Sequence, residues 1–232
     1  MDIWGILFAL LFRTLIFQPF SIPAGSMAPT LEVGDTVIAA KYAYGYSRFS
    51  LPRPLYERLR FLPSGRILSF APKRGDVVIF KLQRVVDTDF VKRVIGLPGD
   101  KVQMIAGRLS INGALVPRER IAPYTLVGQL GKPFPAPHYI ETLPGGVKHE
   151  IIQIDDDKGI LANTPVLEVP PGHYFVMGDN RDNSMDSRVP PEKGGFGFVP
   201  RENLEARASR ILFSTSRSQL AGHGNRFFQA IR

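Results

Sequence analysis

The sequence predicts a mostly β protein with few helices. The 232 residues include 22 glycines and 20 prolines, and 44% of the chain is hydrophobic. Glycine and proline mark turns, and here they separate short runs rich in β-branched and aromatic residues, such as DVVIF at 76–80 and HYFVM at 173–177. A chain of this length and composition can bury one sizeable core, so we expect one main domain.

An apolar segment opens the chain. Ile3–Phe20 is eighteen residues long and contains Arg13. As a helix it spans about 27 Å, which is marginal for crossing a bilayer, although Arg13 can snorkel toward an interface. A cleaved signal peptide is a competing interpretation, but a basic n-region is missing. We therefore expect an uncleaved membrane helix over residues 1–20, with an interfacial or buried helix as another alternative.

Residues 21–232 are predicted to form the β-rich domain. A connection containing Pro and Tyr runs from Tyr42 to Phe70, and Gly107 joins two short strands. Residues 117–170 are rich in Pro and Gly, and we expect an irregular, variable insertion there. The predicted strands are Thr36–Lys41, Asp76–Leu82, Asp89–Ile95, Lys101–Ile105, Leu109–Ile111 and His173–Met177.

The charge pattern limits the classes of partner. The net charge of +8 is distributed through turns and the C-terminal region without blocks of like charge. It suits an anionic lipid surface, and no aromatic stacking motif supports nucleic-acid binding. The chain has no cysteine, and its four histidines lack metal-ligand spacing. We expect no metal and no cofactor.

Ser26 lies in the stretch SIPAGSMAPT, directly behind the apolar segment. Pro23 and Pro29 restrict the backbone, and Gly25 permits the close approach of a substrate chain. This setting suits a nucleophile, but the spacing alone favours a tight turn after a helix, because serine is frequent in turns.

A nucleophilic serine needs a base, and a lysine with a pKa lowered by burial can serve where no histidine partner is evident. Strand alternation places Lys92 on one face with Phe90 and Val94, while Arg93 points the other way. Lys81 has a similar apolar setting in VVIFKL. The pattern alone does not choose between the two lysines, and either can be a strand-end lysine that reaches water.

Four blocks occur in order: PFSIPAGSMAPTLEVGD, RGDVVIFK, DFVKRVIGLPGDKV, and GDNRDNSMDSR followed by GFVP. Together they resemble the bacterial type I signal peptidases, which are membrane-bound. The resemblance implies a protease with a Ser-Lys dyad on a mostly antiparallel β fold. It also implies a catalytic domain on the outer face of the cytoplasmic membrane. The substrates would be exported preproteins with small residues at the first and third positions before the cut.

Residue by residue, the resemblance implies that Ser26 is the nucleophile and Lys92 the general base, which resolves the choice against Lys81. Ser184 would hold the Lys92 ammonium in place. A charged scaffold would orient the loop that carries Ser184, and a simple polar turn is compatible with the same residues. The scaffold residues are Asp179, Asp186 and Arg188.

The resemblance also implies shallow apolar substrate pockets lined by Phe20, Ile22, Pro23, Phe90 and Val91. One departure from the family is Ala24, where many members have a hydroxyl residue that completes the oxyanion hole. Two alternative functions share parts of the pattern. A specialised Ser-Lys peptidase that trims pilin or conjugation proteins would keep the dyad, and a non-enzymatic basic domain at a membrane surface would tolerate loss of Ser26.

Overall fold

A computed structural model describes residues 4–5, 16–47, 50, 58, 65–82, 85–127, 132–215 and 226–232. Within these ranges the chain forms fourteen strands in three antiparallel sheets. Short 3₁₀ turns lie between them, at Gly25–Met27, Lys41–Tyr44, Asp156–Lys158, Pro191–Lys193 and Arg201–Asn203. The mostly β, antiparallel class predicted from the sequence is confirmed.

The main sheet has seven strands in the order β1-β2-β14-β3-β4-β12-β13, and two smaller sheets have the orders β10-β9-β8 and β11-β5-β6-β7. The strands of the main sheet are β1 (Phe17–Ser21), β2 (Asp35–Ala40), β3 (Val77–Leu82), β4 (Val85–Gly96), β12 (His173–Met177), β13 (Val199–Pro200) and β14 (Leu204–Ser214). The strands of the smaller sheets are β5 (Lys101–Ile105), β6 (Arg108–Ile111), β7 (Ala114–Leu115), β8 (Arg118–Val127), β9 (Pro133–Thr142), β10 (Lys148–Ile152) and β11 (Leu167–Glu168).

Strand β3 of the main sheet is buried on both faces, which explains its continuous apolar run. Val77 and Ile79 point into one cluster, which also contains Phe20 and Met27. Val78 and Phe80 point into a second cluster on the opposite face. Because successive side chains of a strand alternate between faces, a central strand with two covered faces is apolar throughout. The sheet therefore provides a rigid base for polar groups at its surface.

All six predicted strands are present, as β2, β3, β4, β5, β6 and β12. Their boundaries agree within one residue except in β4, which begins at Val85 instead of Asp89. The predicted turn at Gly107 joins β5 and β6. Much of the predicted connection between Tyr42 and Phe70 lies outside the described residues.

The helix predicted for residues 1–20 is wrong at its C-terminal end. Phe17–Ser21 is strand β1, which pairs with β2 so that Phe20 lies opposite Val37. Phe20 is buried in the first apolar cluster, so its hydrophobicity reflects packing in the sheet and not contact with lipid. Residues 1–3 and 6–15 lie outside the described part of the chain. Among the helices that are described, none has the length and apolar character needed to cross a membrane.

The prediction of an irregular insertion at 117–170 is also wrong, because β8, β9 and β10 form a sheet there. Pro133 and Pro135 argue against strand β9 in the sequence, because proline has no N–H to donate to a neighbouring strand. Both prolines lie in the half of β9 that pairs with β8 but not with β10. One side of β9 is therefore a sheet edge at this point, and a sheet edge tolerates a missing N–H. A bridge between Ile152 and Asn180 joins this small sheet to the loop after β12.

Candidate active site

Ser26 lies in the 3₁₀ turn Gly25–Met27, which follows β1 through an extended Ala24. Met27 is almost fully buried in the first apolar cluster and anchors the turn. The backbone N–H of Leu31 donates to the Met27 carbonyl at 2.8 Å, which closes the next turn. Ser26 itself is half-buried, so its hydroxyl stays accessible while the backbone beneath it is fixed.

Lys92 extends from β4 to the Ser26 hydroxyl. Its Nζ lies 2.6 Å from Ser26 Oγ and donates to the Val91 carbonyl at 3.0 Å. The Nζ also lies 5.7 Å from the ring centroid of Phe196, and Lys92 is 5% exposed. The alternation predicted for this strand is confirmed, since Phe90 and Val94 share the cluster that contains Phe196.

Burial changes the charge state of this amine. Desolvation lowers the pKa of Lys92 from its ordinary value of 10.5 to about 8, although Asp186 and Asp179 oppose the shift. A substantial fraction of Lys92 is therefore neutral in mildly alkaline solution. A neutral amine at hydrogen-bond distance from a hydroxyl can accept its proton, which is the geometry required of a general base.

Lys81 has a different environment. It forms ion pairs with Asp89, which lies opposite it in the register of β3 and β4, and with Glu205 at 3.1 Å. Burial alone would lower the pKa of Lys81, but Glu205 and Asp89 outweigh it and raise that pKa. Lys81 is thus held as a cation. Of the two lysines left open by strand alternation, Lys92 is the one in contact with Ser26.

The loop from Gly178 to Arg188 packs directly against the Ser26 turn. The Asn180 backbone N–H donates to the Ser26 carbonyl at 3.1 Å, and Asn180 Nδ2 donates to the Gly25 carbonyl at 3.1 Å. A Cβ on Gly178 would lie 2.3 Å from Ser184 Oγ and 2.5 Å from the Ser26 carbonyl oxygen. Glycine at this position therefore lets the loop and the turn approach each other closely.

Ser184, Asp186 and Arg188 form one cluster in this loop. The Ser184 hydroxyl donates to Asp186 Oδ2 at 2.7 Å, and Arg188 donates to both Asp186 oxygens at 2.8 Å. Among the described residues, Lys92 forms hydrogen bonds with Ser26 and Val91 and none with Ser184, so the role predicted for Ser184 in holding the Lys92 ammonium stays a prediction. Ser184 faces the Asp186 carboxylate, whose negative charge acts to raise the pKa of Lys92.

Asp179 belongs to a second buried cluster, behind Lys92. It accepts hydrogen bonds from Arg93 Nε at 2.8 Å, from Arg93 Nη2 at 2.7 Å and from the Thr30 hydroxyl at 2.6 Å. Burial alone would raise the pKa of Asp179, but Arg93 outweighs it and holds that pKa below its usual value. Sequence reasoning assigned no role to Arg93 or Thr30. The alternation in β4, which points Arg93 away from Lys92, is the sequence signal that could have indicated a separate role for Arg93.

Further buried polar residues that the sequence did not single out connect the loop to the small sheet. Arg181 forms a buried ion pair with Glu141 of β9. His149 of β10 lies between two carboxylates, 3.5 Å from Glu141 and 3.9 Å from Asp179. Burial lowers the pKa of His149 to about 4, so the ring is neutral near pH 7. No group of three acidic or histidine side chains in the described ranges could hold a metal ion.

The five residues predicted to line the substrate pockets lie in three different places. Phe20 and Ile22 are buried in the first apolar cluster, and Val91 packs against it. Phe90 lies on the other face of β4, where its ring centroid is 4.7 Å from that of Phe196. Pro23 is exposed between β1 and the Ser26 turn. The apolar wall on the Val91 side thus consists of Phe20, Ile22 and Val91.

Comparison with known proteins identifies the family. The model described as "Signal peptidase, peptidase S26" matches residues 3–213. The chain belongs to this family. It is 40% identical over 214 residues to a signal peptidase I of Rickettsia canadensis, covering 89% of this chain and 76% of the relative. It is 39% identical over 212 residues to that of Rickettsia prowazekii, with the same coverages. The chain is therefore a serine endopeptidase.

A solved structure is also similar. The crystal structure of a signal peptidase I from Enterococcus faecalis aligns with a TM-score of 0.35 and 26% sequence identity. The alignment covers 60% of this peptidase and 98% of the Enterococcus chain.

Peptide hydrolysis should depend on pH through Lys92. Because the amine must be neutral to accept a proton, kcat/KM should rise about tenfold per pH unit below the pKa of about 8 and level off above it. The measurement is a pH profile with a preprotein and detergent-solubilised enzyme, with circular dichroism at each pH to verify folding. A rate still climbing toward about pH 10, near the value for free lysine, would contradict this assignment.

Proposed function

We propose that this chain removes N-terminal signal peptides from exported preproteins, with Ser26 as the nucleophile and Lys92 as the general base. The observation that carries the proposal is the 2.6 Å contact between Lys92 Nζ and Ser26 Oγ, formed by an amine whose pKa burial lowers to about 8. Family membership and relatives at about 40% identity support the same reaction.

In the acylation step, Ser26 Oγ attacks the scissile carbonyl carbon while Lys92 Nζ accepts the hydroxyl proton. The resulting ammonium donates that proton to the leaving amine as the C–N bond breaks, which releases the mature protein and leaves an ester on Ser26. Lys92 is then neutral again and takes a proton from water, which attacks the ester. Proton return to Ser26 Oγ releases the signal peptide and restores the dyad.

The oxyanion of each tetrahedral intermediate requires preorganised donors. The Ser26 backbone N–H is one candidate, because it lies in the first turn of the 3₁₀ segment Gly25–Met27, where N–H groups lack partners within the helix. Ala24 supplies no hydroxyl beside it.

The apolar side chains near Ser26 support a preference for small substrate residues. Phe20 and Ile22 are buried in the first apolar cluster and Val91 packs against that cluster, so they form a fixed apolar wall in the cluster that also contains Met27, the residue after Ser26. A rigid, shallow wall accepts an alanine side chain and excludes a large one on steric grounds. This arrangement supports the preference for small residues at the first and third positions before the cut that the family resemblance implies.

We place the enzyme at the cytoplasmic membrane, with the residues before β1 as its anchor and the catalytic domain on the outer face. An exposed apolar patch supports contact with lipid. It consists of Tyr42, Ile67, Leu68 and Phe70, which are 46%, 73%, 66% and 57% exposed. The patch lies beside the start of β1, because the ring centroid of Tyr42 is 5.7 Å from that of Phe17.

The dyad is tested by removing each member. Ser26→Ala and Lys92→Met should each reduce processing of a preprotein to background, because acylation needs both the nucleophile and the neutral base. Lys81→Met is the matched control and should keep most of the activity, since Lys81 pairs with Asp89 and Glu205, away from Ser26. Product formation is followed by gel electrophoresis and folding by thermal unfolding. Equal losses of activity in folded Lys81→Met and Lys92→Met variants would contradict the assignment of Lys92 as the general base.

A serine at position 24 tests the oxyanion site. Ala24 is exposed and extended, with φ −132° and ψ 147°, so a serine fits without strain. Losing one oxyanion donor typically costs about 10²–10³ in kcat, so Ala24→Ser should raise kcat several-fold if a donor is missing here. KM should change little, because the new hydrogen bond forms mainly in the transition state. An unchanged or lower kcat in the folded variant would mean that another group already fills the site.

Membrane attachment is tested with a truncation that keeps β1. Deleting residues 2–15 should release the protein only partly from vesicles of anionic lipid, because the apolar patch retains affinity for the interface. Adding Ile67→Ser, Leu68→Ser and Phe70→Ser to the truncated chain should complete the release, as measured by co-sedimentation. Full release by truncation alone would show that the patch does not bind lipid.

A further inference from the structure

The segment 226–232, named here the C-terminal strap, returns to the part of the chain that carries Ser26. It pairs with β14, since the Ile211 N–H donates to the Gln229 carbonyl at 2.9 Å and the Ile231 N–H donates to the Ser209 carbonyl at 3.0 Å. Ile231 packs against the apolar cluster that contains Met27. The strap is therefore docked on the main sheet by both backbone pairing and apolar contact.

Arg226 at the start of the strap binds the segment that follows Ser26. Its Nη2 donates to the Thr30 carbonyl at 2.8 Å and to Asp35 Oδ2 at 2.9 Å. Its Nη1 donates to the Pro29 carbonyl at 3.4 Å and lies 3.6 Å from Glu32 Oε1. Arg226 is only 7% exposed, so these contacts are made away from bulk water.

The charges explain why an arginine suits this position. Glu32 and Asp35 are buried, three residues apart, and the Glu32 N–H donates to Asp35 Oδ2 at 2.9 Å. The guanidinium places positive charge between these two carboxylates and still has donors for two backbone carbonyls. A planar fork with several fixed donors can do both at once from two nitrogens, whereas the three donors of a lysine ammonium all lie on one nitrogen.

Thr30 transmits this constraint toward Ser26. Its carbonyl accepts from Arg226, while its hydroxyl donates to Asp179 at 2.6 Å, so the residue is held from two sides. The turn between Thr30 and Ser26 is closed by the hydrogen bond from Leu31 to Met27. On the other side of the turn, Asn180 holds the Ser26 carbonyl. The position of the Ser26 hydroxyl therefore depends on a short segment fixed at both ends.

We propose that Arg226 is a positioning residue for the nucleophile, acting through Pro29 and Thr30 without touching substrate. The inference rests on the proposed function, in which Ser26 attacks the scissile carbonyl. A nucleophile displaced by about 1 Å can lose on the order of 10² in rate, so releasing one end of its segment has a large kinetic effect. Arg226 does not contact Lys92, so its loss leaves the ionisation of the base unchanged.

The test compares Arg226→Ala with Arg226→Lys and with Leu109→Ala, a control that destabilises the third sheet, where Leu109 is fully buried. Each variant is assayed with a preprotein below its unfolding temperature. Arg226→Ala should lower kcat at least about tenfold, with KM within about twofold and the midpoint of the pH profile unchanged. Arg226→Lys should give an intermediate kcat. Leu109→Ala should lower Tm but keep kcat within about twofold of the wild type.

Two results would overturn the proposal: a kcat in Arg226→Ala no lower than in Leu109→Ala, or a loss confined to KM. If Arg226→Ala does not fold, Arg226→Lys decides, and a wild-type kcat in that variant would reject the proposal. Ser26→Ala in the same assay separates the two proposals. Activity that survives Ser26→Ala removes the proposed function and this inference with it. Loss of activity in Ser26→Ala with normal kcat in Arg226→Ala removes only the positioning role.

Discussion

The burial of the Lys92 amine against the Ser26 hydroxyl is the constraint on which the rest of the site depends. Lowering the pKa of Lys92 from 10.5 to about 8 corresponds to about 3 kcal/mol, which the fold must supply by packing β4 between two apolar clusters. A lysine on a strand face that is open to solvent would extend its amine into water and stay charged. The two-sided core is therefore part of the chemistry as well as of the stability.

The buried ion pairs around the dyad serve the same requirement. Asp179 and Asp186 lie close enough to raise the pKa of Lys92, and unpaired carboxylates at these positions would favour the ammonium. Each is instead bound by an arginine, Asp179 by Arg93 and Asp186 by Arg188. Buried ion pairs contribute little net stability, but they fix geometry and balance charge. Here they orient the loop after β12 while limiting its negative charge beside the base.

The sequence predicted much of this arrangement, and its failures have specific physical causes. Alternation in β4 correctly placed Lys92 among apolar side chains, but it did not separate Lys92 from Lys81. That distinction depends on Asp89, which lies opposite Lys81 in the register of β3 and β4, and on Glu205, which the pairing of β14 with β3 brings to Lys81. The resemblance to signal peptidases supplied what periodicity lacked. The helix expected up to Phe20 failed because hydrophobicity does not distinguish a membrane segment from a strand that a partner buries.

Long-range contacts determine where the nucleophile lies, because the Ser26 turn is too short to hold its own shape. Thr30 meets Asp179 across 149 residues of sequence, and it meets Arg226 across 196. The close approach at Gly178 adds a third point of contact, from the loop that also carries Asp186. A local motif such as GSM can therefore indicate the nucleophile, but the geometry that would make it reactive exists only once the strands, the loop and the C-terminal strap have come together.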